Sequence, residues 1–252
     1  MSRFIAPSLL AASIALTLAA CGPSEEERRQ AAEQQAAQAA EAQAADQYAL
    51  YEQAREDGNW EIALSYAEFI RQTHPDSSVA GQLDTTYDDV AEQAEAVRES
   101  RRLEGLWVYH AVEEEGALSR TAYIYSEAPG RGISPVRLVL RVHPEWDDSV
   151  YLLPEGETPR FSCDNPCEVQ VRFDDAEAAD FEAMVSEPTE NHAMFIDDFD
   201  GFLSAMDDAA RVVVTIDTED GEGVELAYEV AGFDREQFET ADEAAEDVEA
   251  VE

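Results

Sequence analysis

Cys163 and Cys167 are the pair of residues best suited to covalent chemistry in this 252-residue chain. Asn165 and Pro166 lie between them, and an Asn-Pro step favours a turn. Such a turn can bring two strand ends together, so we predict a structural disulfide between the two cysteines. A redox pair or a metal site is the alternative. Redox motifs usually space their cysteines by two residues at the start of a helix, and a zinc site needs two further ligands that the nearby sequence does not supply.

The other polar residues do not form a recognisable catalytic set. No two of the four histidines have the spacing of paired metal ligands: His74, His110, His143 and His192. Serines such as Ser162 lack the Gly-x-Ser-x-Gly context of an activated nucleophile. We therefore predict no catalytic residues, no metal ligands and no cofactor, and expect the chain not to be an enzyme. A hydrolase is the least favoured alternative.

Two acidic segments resemble ion-binding loops only in composition. Residues 197–201 read Asp-Asp-Phe-Asp-Gly, but they lack the alternating oxygen ligands and the closing glutamate of an EF-hand loop. We expect Asp197 or Asp198 to cap a short helix instead. In the segment 217–225, Asp220-Gly221 is typical of a hairpin turn between two strands.

The overall charge restricts the partners that the chain can have. It contains 57 acidic residues against 16 basic ones, and the formal net charge is -41. Such a surface repels nucleic acids and anionic lipid head groups, so neither is an expected partner. A solvated acidic surface is the simpler explanation of the charge. A module that binds cations specifically is the alternative.

The N-terminus has the layout of a secretion signal. Arg3 is followed by an apolar stretch over residues 4–20, which is shorter than a comfortable transmembrane helix. The stretch ends in Leu18-Ala19-Ala20-Cys21-Gly22, which resembles the lipobox of bacterial lipoproteins. The resemblance implies that residues 1–20 are a cleaved signal peptide and that Cys21 carries a thioether-linked lipid. Gly22 stands where the inner-membrane retention signal of this class has Asp, which favours the periplasmic face of the outer membrane.

Two helical segments follow the signal. Residues 21–47 are mostly Ala, Gln and Glu, and form a helical tether or a flexible linker. Residues 48–104 carry larger apolar side chains at helical spacing, with a third helix expected at 78–102. Within this unit, five residues resemble the second half of a tetratricopeptide repeat: Gly58, Trp60, Ala63, Ile70 and Pro75. A single repeat cannot form a solenoid, so we predict a small helical hairpin unit.

From Gly105 the apolar period changes to two. Half-buried antiparallel strands are predicted at 105–112, 118–126, 136–143, 149–153, 167–174, 210–217 and 224–230. This number of short strands predicts a β-sandwich over residues 105–234, followed by an acidic disordered tail at 235–252. The fold class is therefore α+β, with an N-terminal helical stalk and small helical unit before an antiparallel β-sandwich.

The order of motifs in the β region carries a second resemblance. Five motifs follow one another along the chain: Trp107, Leu138-Val139-Leu140-Arg141, the segment 161–174, Met194-Phe195-Ile196 and the segment 230–233. Together they resemble uncharacterised proteobacterial envelope proteins and, more distantly, the TagO/VasI-like proteins associated with type VI secretion. The helical N-terminal unit and the paired cysteines depart from that secretion group. We expect a non-enzymatic binding or structural role through contacts with an unidentified envelope protein; a type VI secretion accessory is the alternative.

The lipobox generates the first testable prediction. Replacing the residue that would carry the lipid, in the variant Cys21→Ser, should abolish metabolic lipid labelling and release the protein from the membrane fraction, because several acyl chains anchor far better than one. Labelling with a fatty-acid analogue and fractionation of cells would measure both effects. Unchanged membrane association of the variant would contradict the lipoprotein prediction and would indicate an uncleaved helix as the anchor.

Overall fold

The computed structural model describes residues 24–127, 134–156, 158–186 and 192–240. The predicted signal peptide and Cys21 lie outside these residues. Within them the chain is α+β, as predicted, with six helices and nine strands. The helices are α1 Glu25–Glu56, α2 Trp60–Thr73, α3 Ala80–Leu83, α4 Tyr87–Glu104, α5 Phe199–Asp207 and α6 Arg235–Thr240. The strands are β1 Val108–Glu114, β2 Ala117–Tyr125, β3 Val136–His143, β4 Trp146–Pro154, β5 Cys167–Phe173, β6 Ala179–Val185, β7 Met194–Ile196, β8 Arg211–Thr218 and β9 Gly221–Glu229.

The chain divides into two compact units within α4, after Gln93. In the first unit, α1 begins with a capping box. Ser24 accepts a hydrogen bond from the backbone N–H of Glu27, and the Glu27 side chain accepts one from the backbone of Ser24. The helix then continues without interruption, so residues 25–47 are helical. Its residues 25–39 are all exposed, because alanine, glutamine and glutamate give this part no apolar stripe to bury.

The core of the first unit lies between α1, α2 and α3. Tyr51 on α1 is fully buried, and its hydroxyl lies 2.6 Å from Oγ1 of Thr86. The predicted single helix over 78–102 is wrong, because the chain forms α3 and α4 with a break at residues 84–86. Thr85 explains this break: its hydroxyl donates to the carbonyl of Gln82, and such side-chain bonds compete with the helical ladder.

All nine strands of the second unit belong to one antiparallel sheet with the order β1-β2-β3-β4-β7-β6-β5-β8-β9. The predicted β-sandwich is not confirmed, because the strands pair into a single open sheet and not into two. Alternating apolar residues predict that one face of a strand is buried, but they do not specify what covers it. The pattern also missed β6 and β7.

One face of this sheet forms the core, and the sheet curls around it. Buried side chains from every strand except β1 meet in one hydrophobic cluster together with α5 and α6, and Tyr109 of β1 packs against it. The curl brings the two ends of the sheet near each other. The backbone N–H of Glu127, just after β2, donates to the carbonyl of Ala227 in β9, and Nε1 of Trp107 donates to the carbonyl of Val230. The core therefore lies on the inner side of the curled sheet.

The two helices of the second unit complete the core. Asp198 caps α5, as predicted, and its side chain accepts from the backbone N–H of Gly201 at 3.1 Å. Phe202 of α5 is fully buried. The predicted acidic tail is wrong over residues 235–240, because these residues form α6 and bury Phe238 against the core. The acidic composition of this segment predicted disorder, but one aromatic side chain, Phe238, packs it onto the core. The rest of the predicted tail lies outside the described residues.

The buried glycine at position 232 generates the second prediction. A Cβ atom at Gly232 would collide with the backbone of Leu103 and Glu104, and backbone cannot move aside cheaply. We expect Gly232→Ala to lower the free energy of unfolding by on the order of 2 kcal/mol. Gly221→Ala is the matched control, because a Cβ there meets no atom within 4 Å. Urea unfolding of both variants measures the difference, and equal stability would contradict the close backbone approach.

Candidate binding surface

The predicted cysteine pair forms a disulfide, with 5.3 Å between the Cα atoms of Cys163 and Cys167. Both cysteines are half-buried against the core, and Cys167 pairs with the inward-facing Ala183 of β6. Asn165, between the cysteines, uses its side-chain amide as an extra strand residue: it donates to the carbonyl of Val185 and accepts from the N–H of Val185. The loop is thus fixed to β6 at several points, which is what a structural disulfide requires.

The histidines considered in the sequence lie apart from one another. His74, His110 and His143 contact aromatic rings and backbone atoms. His74 caps α2 beside the Phe69 ring, and His110 stacks on Tyr123. His143 is buried: its Nδ1 accepts from the N–H of Glu145 at 3.2 Å, and its Nε2 lies 3.5 Å from the carbonyl of Glu114. In the part of the chain that the structure describes, no three His, Cys, Asp or Glu side chains are grouped so that they could bind a metal ion.

An unexpected feature lies on the side of the sheet that points away from the core, which we name the outer face. Five side chains follow one another across neighbouring strands there and form what we name the apolar row. Its members are Tyr123 of β2, Val139 of β3, Tyr151 of β4, Phe195 of β7 and Met184 of β6. At the usual strand spacing of 4.7–4.9 Å, the row is about 19 Å long.

The apolar row is tightly packed in the middle and exposed at one end. Val139 is only 2% exposed although it points outward, and the Tyr151 and Phe195 rings lie 5.1 Å apart. Met184 is 46% exposed. Outward positions of a half-buried strand are normally polar, so this row is an exception to the pattern. It forms an apolar strip across the outer face of a highly charged protein, with Val139 covered and Met184 exposed.

A second line of side chains runs beside the apolar row, and we name it the polar row. It consists of His110 on β1, Thr121 on β2, Arg141 on β3 and Ser149 on β4. The guanidinium of Arg141 lies over the ring of Trp146, with 4.8 Å from its central carbon to the ring centroid. Such cation–π contacts fix the plane and position of a guanidinium.

Several polar atoms near the two rows are buried without a hydrogen-bond partner. They are Nε of Arg141, Oγ of Ser149, Oε2 of Glu114 and Nε of Arg137. Arg137 is nevertheless ion-paired, with its Nε 3.0 Å from Oε1 of Glu155. Native proteins leave few buried polar groups unsatisfied, and each such group requires an explanation, for which a bound water or a ligand is the usual one.

The electrostatic environment keeps the tyrosine in the middle of the apolar row neutral. Burial raises the pKa of the Tyr151 phenol, and the positive charges of Arg141 and Arg137 oppose this shift without cancelling it. The phenol therefore stays protonated well above neutral pH. It presents an aromatic ring and a hydroxyl group to the outer face, and no negative charge.

The first unit contains an open cavity of about 630 Å³. Arg55, Trp60, Thr86, Asp89 and Glu92 are among the residues that line it. Its charges are mixed, and the lining shows no arrangement of nucleophile and base. None of the helices among the described residues is both long and apolar enough to cross a bilayer.

The outer face could not be recognised in the sequence, for two reasons. Tyr123 and Tyr125 stand at the polar positions of β2, and this departure from strict alternation is the signal that could have revealed it. Phe195 and Met184, in contrast, lie on two strands that the pattern did not predict as strands. The apolar row exists only because β7 pairs with both β4 and β6, and these pairings are not encoded locally.

Comparisons with known proteins add no family to these observations. No protein-family model, no curated protein and no solved structure matches this chain. The assignment of a function therefore depends on the chemistry of its own surface.

The disulfide generates the third prediction. Closing a loop as short as that between Cys163 and Cys167 stabilises a fold by about 2 kcal/mol in the chain-entropy model. We expect the double variant Cys163→Ala, Cys167→Ala to lose on the order of this amount in urea unfolding while retaining the native far-UV spectrum. The wild-type protein measured with reductant is the control and should approach the variant. Two readily alkylated thiols in protein purified without reductant would contradict a structural disulfide.

Proposed function

We propose that this chain is a lipid-anchored envelope protein that presents a protein-binding β unit at the periplasmic face of the outer membrane. The anchor in this proposal is the lipid on Cys21, and the role is non-enzymatic. The finer description of the β unit also belongs to the proposal. We infer that the curled sheet acts as a sandwich-like support, with facing halves that share one core and leave the outer face free.

The stalk at the start of α1 supports a tethering role. The capping box at Ser24 begins the helix three positions after Cys21 in the sequence. The exposed residues 25–39 would span about 22 Å at the helical rise of 1.5 Å per residue. A helix without an apolar stripe gains nothing from packing against its own protein, so its use is to provide distance. A spacer between a lipid anchor and a folded unit requires this property.

The apolar row is the observation that carries the binding role. Interfaces between proteins are enriched in Tyr, Trp, Phe, Met and Arg, and depleted of Lys, Glu and Asp. The outer face contains this set of residues, with Trp146 39% exposed and Met184 46% exposed. It does so in a chain with 57 acidic residues. Contiguous exposed apolar patches on soluble proteins usually mark interaction sites.

The chemistry of the outer face favours binding over catalysis. Tyr151, Phe195 and Met184 offer contact area and one hydroxyl, and none of them is a nucleophile or base at neutral pH. Hot spots of binding energy are dominated by Trp, Tyr and Arg side chains that lie near the centre of an interface. Tyr151 and Arg141 meet this description because they lie on adjacent strands in the middle of the face.

Site-specific photo-crosslinking in cells is the fourth prediction and tests the binding role. A photo-reactive residue at position 184 or 195 should give the same discrete protein adduct, because Met184 and Phe195 are paired across β6 and β7. Gln170 of β5 is the matched control, because it is an outward-facing, exposed strand residue outside the apolar row. We expect no adduct from position 170.

The adduct must depend on the apolar row itself. Tyr151→Ser should reduce crosslinking from position 184, while circular dichroism should show that the sheet is intact. Absence of an adduct from both positions 184 and 195, or an equal yield from position 170, would contradict the proposal. Identification of the crosslinked protein by mass spectrometry would then define the partner.

A further inference from the structure

Arg141 differs from the ion-paired arginines of this acidic chain. Arg102, Arg137, Arg211 and Arg235 in the second unit each form an ion pair with Asp or Glu. Arg141 forms no ion pair with any carboxylate among the described residues, although acidic residues outnumber basic ones 57 to 16 in the chain. Its Nε is also buried without a hydrogen-bond partner. The charge of Arg141 is thus not ion-paired on the face that carries the apolar row, where Glu114 is a carboxylate whose charge, like that of Arg141, acts on Tyr151.

The neighbours of Arg141 are suited to an oxyanion. Thr121 and Ser149 are the cross-strand neighbours of Arg141 on the two adjacent strands, so a hydroxyl-bearing residue flanks it on each side of the polar row. The hydroxyl of Ser149 has no partner. Stacking on Trp146 holds the guanidinium in one plane, which reduces the entropy lost when it binds. A planar guanidinium between hydroxyl donors binds carboxylates in a bidentate manner.

We propose that the outer face binds a protein segment through a side-chain carboxylate at Arg141, while an adjacent apolar side chain of that segment contacts the apolar row. This inference rests on the proposed binding function and adds the chemistry of the partner. The polar row and the apolar row run side by side on the same strands. A segment that pairs one Asp or Glu with a neighbouring aromatic or aliphatic residue therefore matches both rows at once.

The net charge of the chain further restricts the kind of partner that can bind. At a net charge of -41, a strongly acidic partner would be repelled at long range. A second copy of this chain would be repelled for the same reason. The fitting partner carries an isolated carboxylate among apolar residues in a segment that is otherwise neutral or basic. A carboxylate in this setting would contact Arg141, which forms no ion pair among the described residues.

The indole N–H signals of tryptophan provide the test. The chain contains three tryptophans, Trp60, Trp107 and Trp146, so a nitrogen-15 correlation spectrum of the full-length protein has three indole signals with internal controls. The probes are the blocked tripeptide Phe-Glu-Phe, its Phe-Gln-Phe and Phe-Lys-Phe counterparts, and inorganic phosphate. Titration of each probe gives a dissociation constant from the shift of the Trp146 signal.

We expect Phe-Glu-Phe to move the Trp146 signal and to leave the Trp107 signal in the core unchanged. Phe-Gln-Phe should bind about tenfold more weakly, because it loses a charge-assisted hydrogen bond. Arg141→Gln should remove this tenfold difference, and Arg141→Lys should restore part of it. Arg172→Gln is the matched control, because it makes the same charge change on β5, where the Arg172 guanidinium contacts a backbone carbonyl.

Three results would overturn the inference. The first is equal affinity for Phe-Glu-Phe and Phe-Gln-Phe, and the second is tighter binding of Phe-Lys-Phe than of Phe-Glu-Phe. The third is that phosphate saturates the shift of the Trp146 signal at the same concentration as Phe-Glu-Phe does. The last result would indicate a site for free oxyanions. Failure of the proposed binding function can be distinguished from failure of this inference. It would appear as missing crosslinks from positions 184 and 195, whatever the peptide titration shows.

Discussion

A single hydrophobic core has to accept side chains from eight strands of the sheet, and this requirement determines the shape of the second unit. A flat nine-stranded sheet would leave its apolar face in water, whereas here the buried side chains of eight strands meet in one cluster with α5 and α6. The inward side chains pass from strand to strand through Leu140, Val150, Ile196 and Ala183 in register. Trp107, Phe202 and Phe238 fill the remaining space. No second sheet is needed because the curled sheet covers its own face.

The curl also defines the outer face. Side chains on the outside of a curved sheet diverge, so bulky residues are needed there if neighbouring side chains are to remain in contact. Tyr123, Tyr151 and Phe195 have this bulk, and together with the arginines they cover Val139 almost completely. The apolar row therefore contributes to folding through Val139 while leaving part of each ring in contact with solvent. A surface that is already ordered loses little entropy when a partner binds.

The sequence predicts those parts of the fold in which local pattern and burial agree. Strict alternation identified β3 at both ends, and the Asp198 cap identified α5. β6 was missed although Phe181, Ala183 and Val185 alternate with Asp180 and Glu182, because Ala, Asp and Glu have low strand propensity. β7 was missed because three residues are too few for a pattern. The disulfide could be predicted because its residues are neighbours in the sequence. The outer face could not, because it depends on the pairing of β4 with β7, which are distant in the sequence.

The acidic surplus and the outer face can be understood together. Exposed carboxylates keep copies of the chain apart and discourage nonspecific association. They also form ion pairs with arginines such as Arg102 and Arg211, which would otherwise attract anions elsewhere on the surface. Arg141 has a ring below it and hydroxyl groups beside it, so its charge is oriented but not neutralised. A surface that repels acidic partners almost everywhere, with one face that carries the apolar row and Arg141, selects partners by disfavouring contacts at other positions.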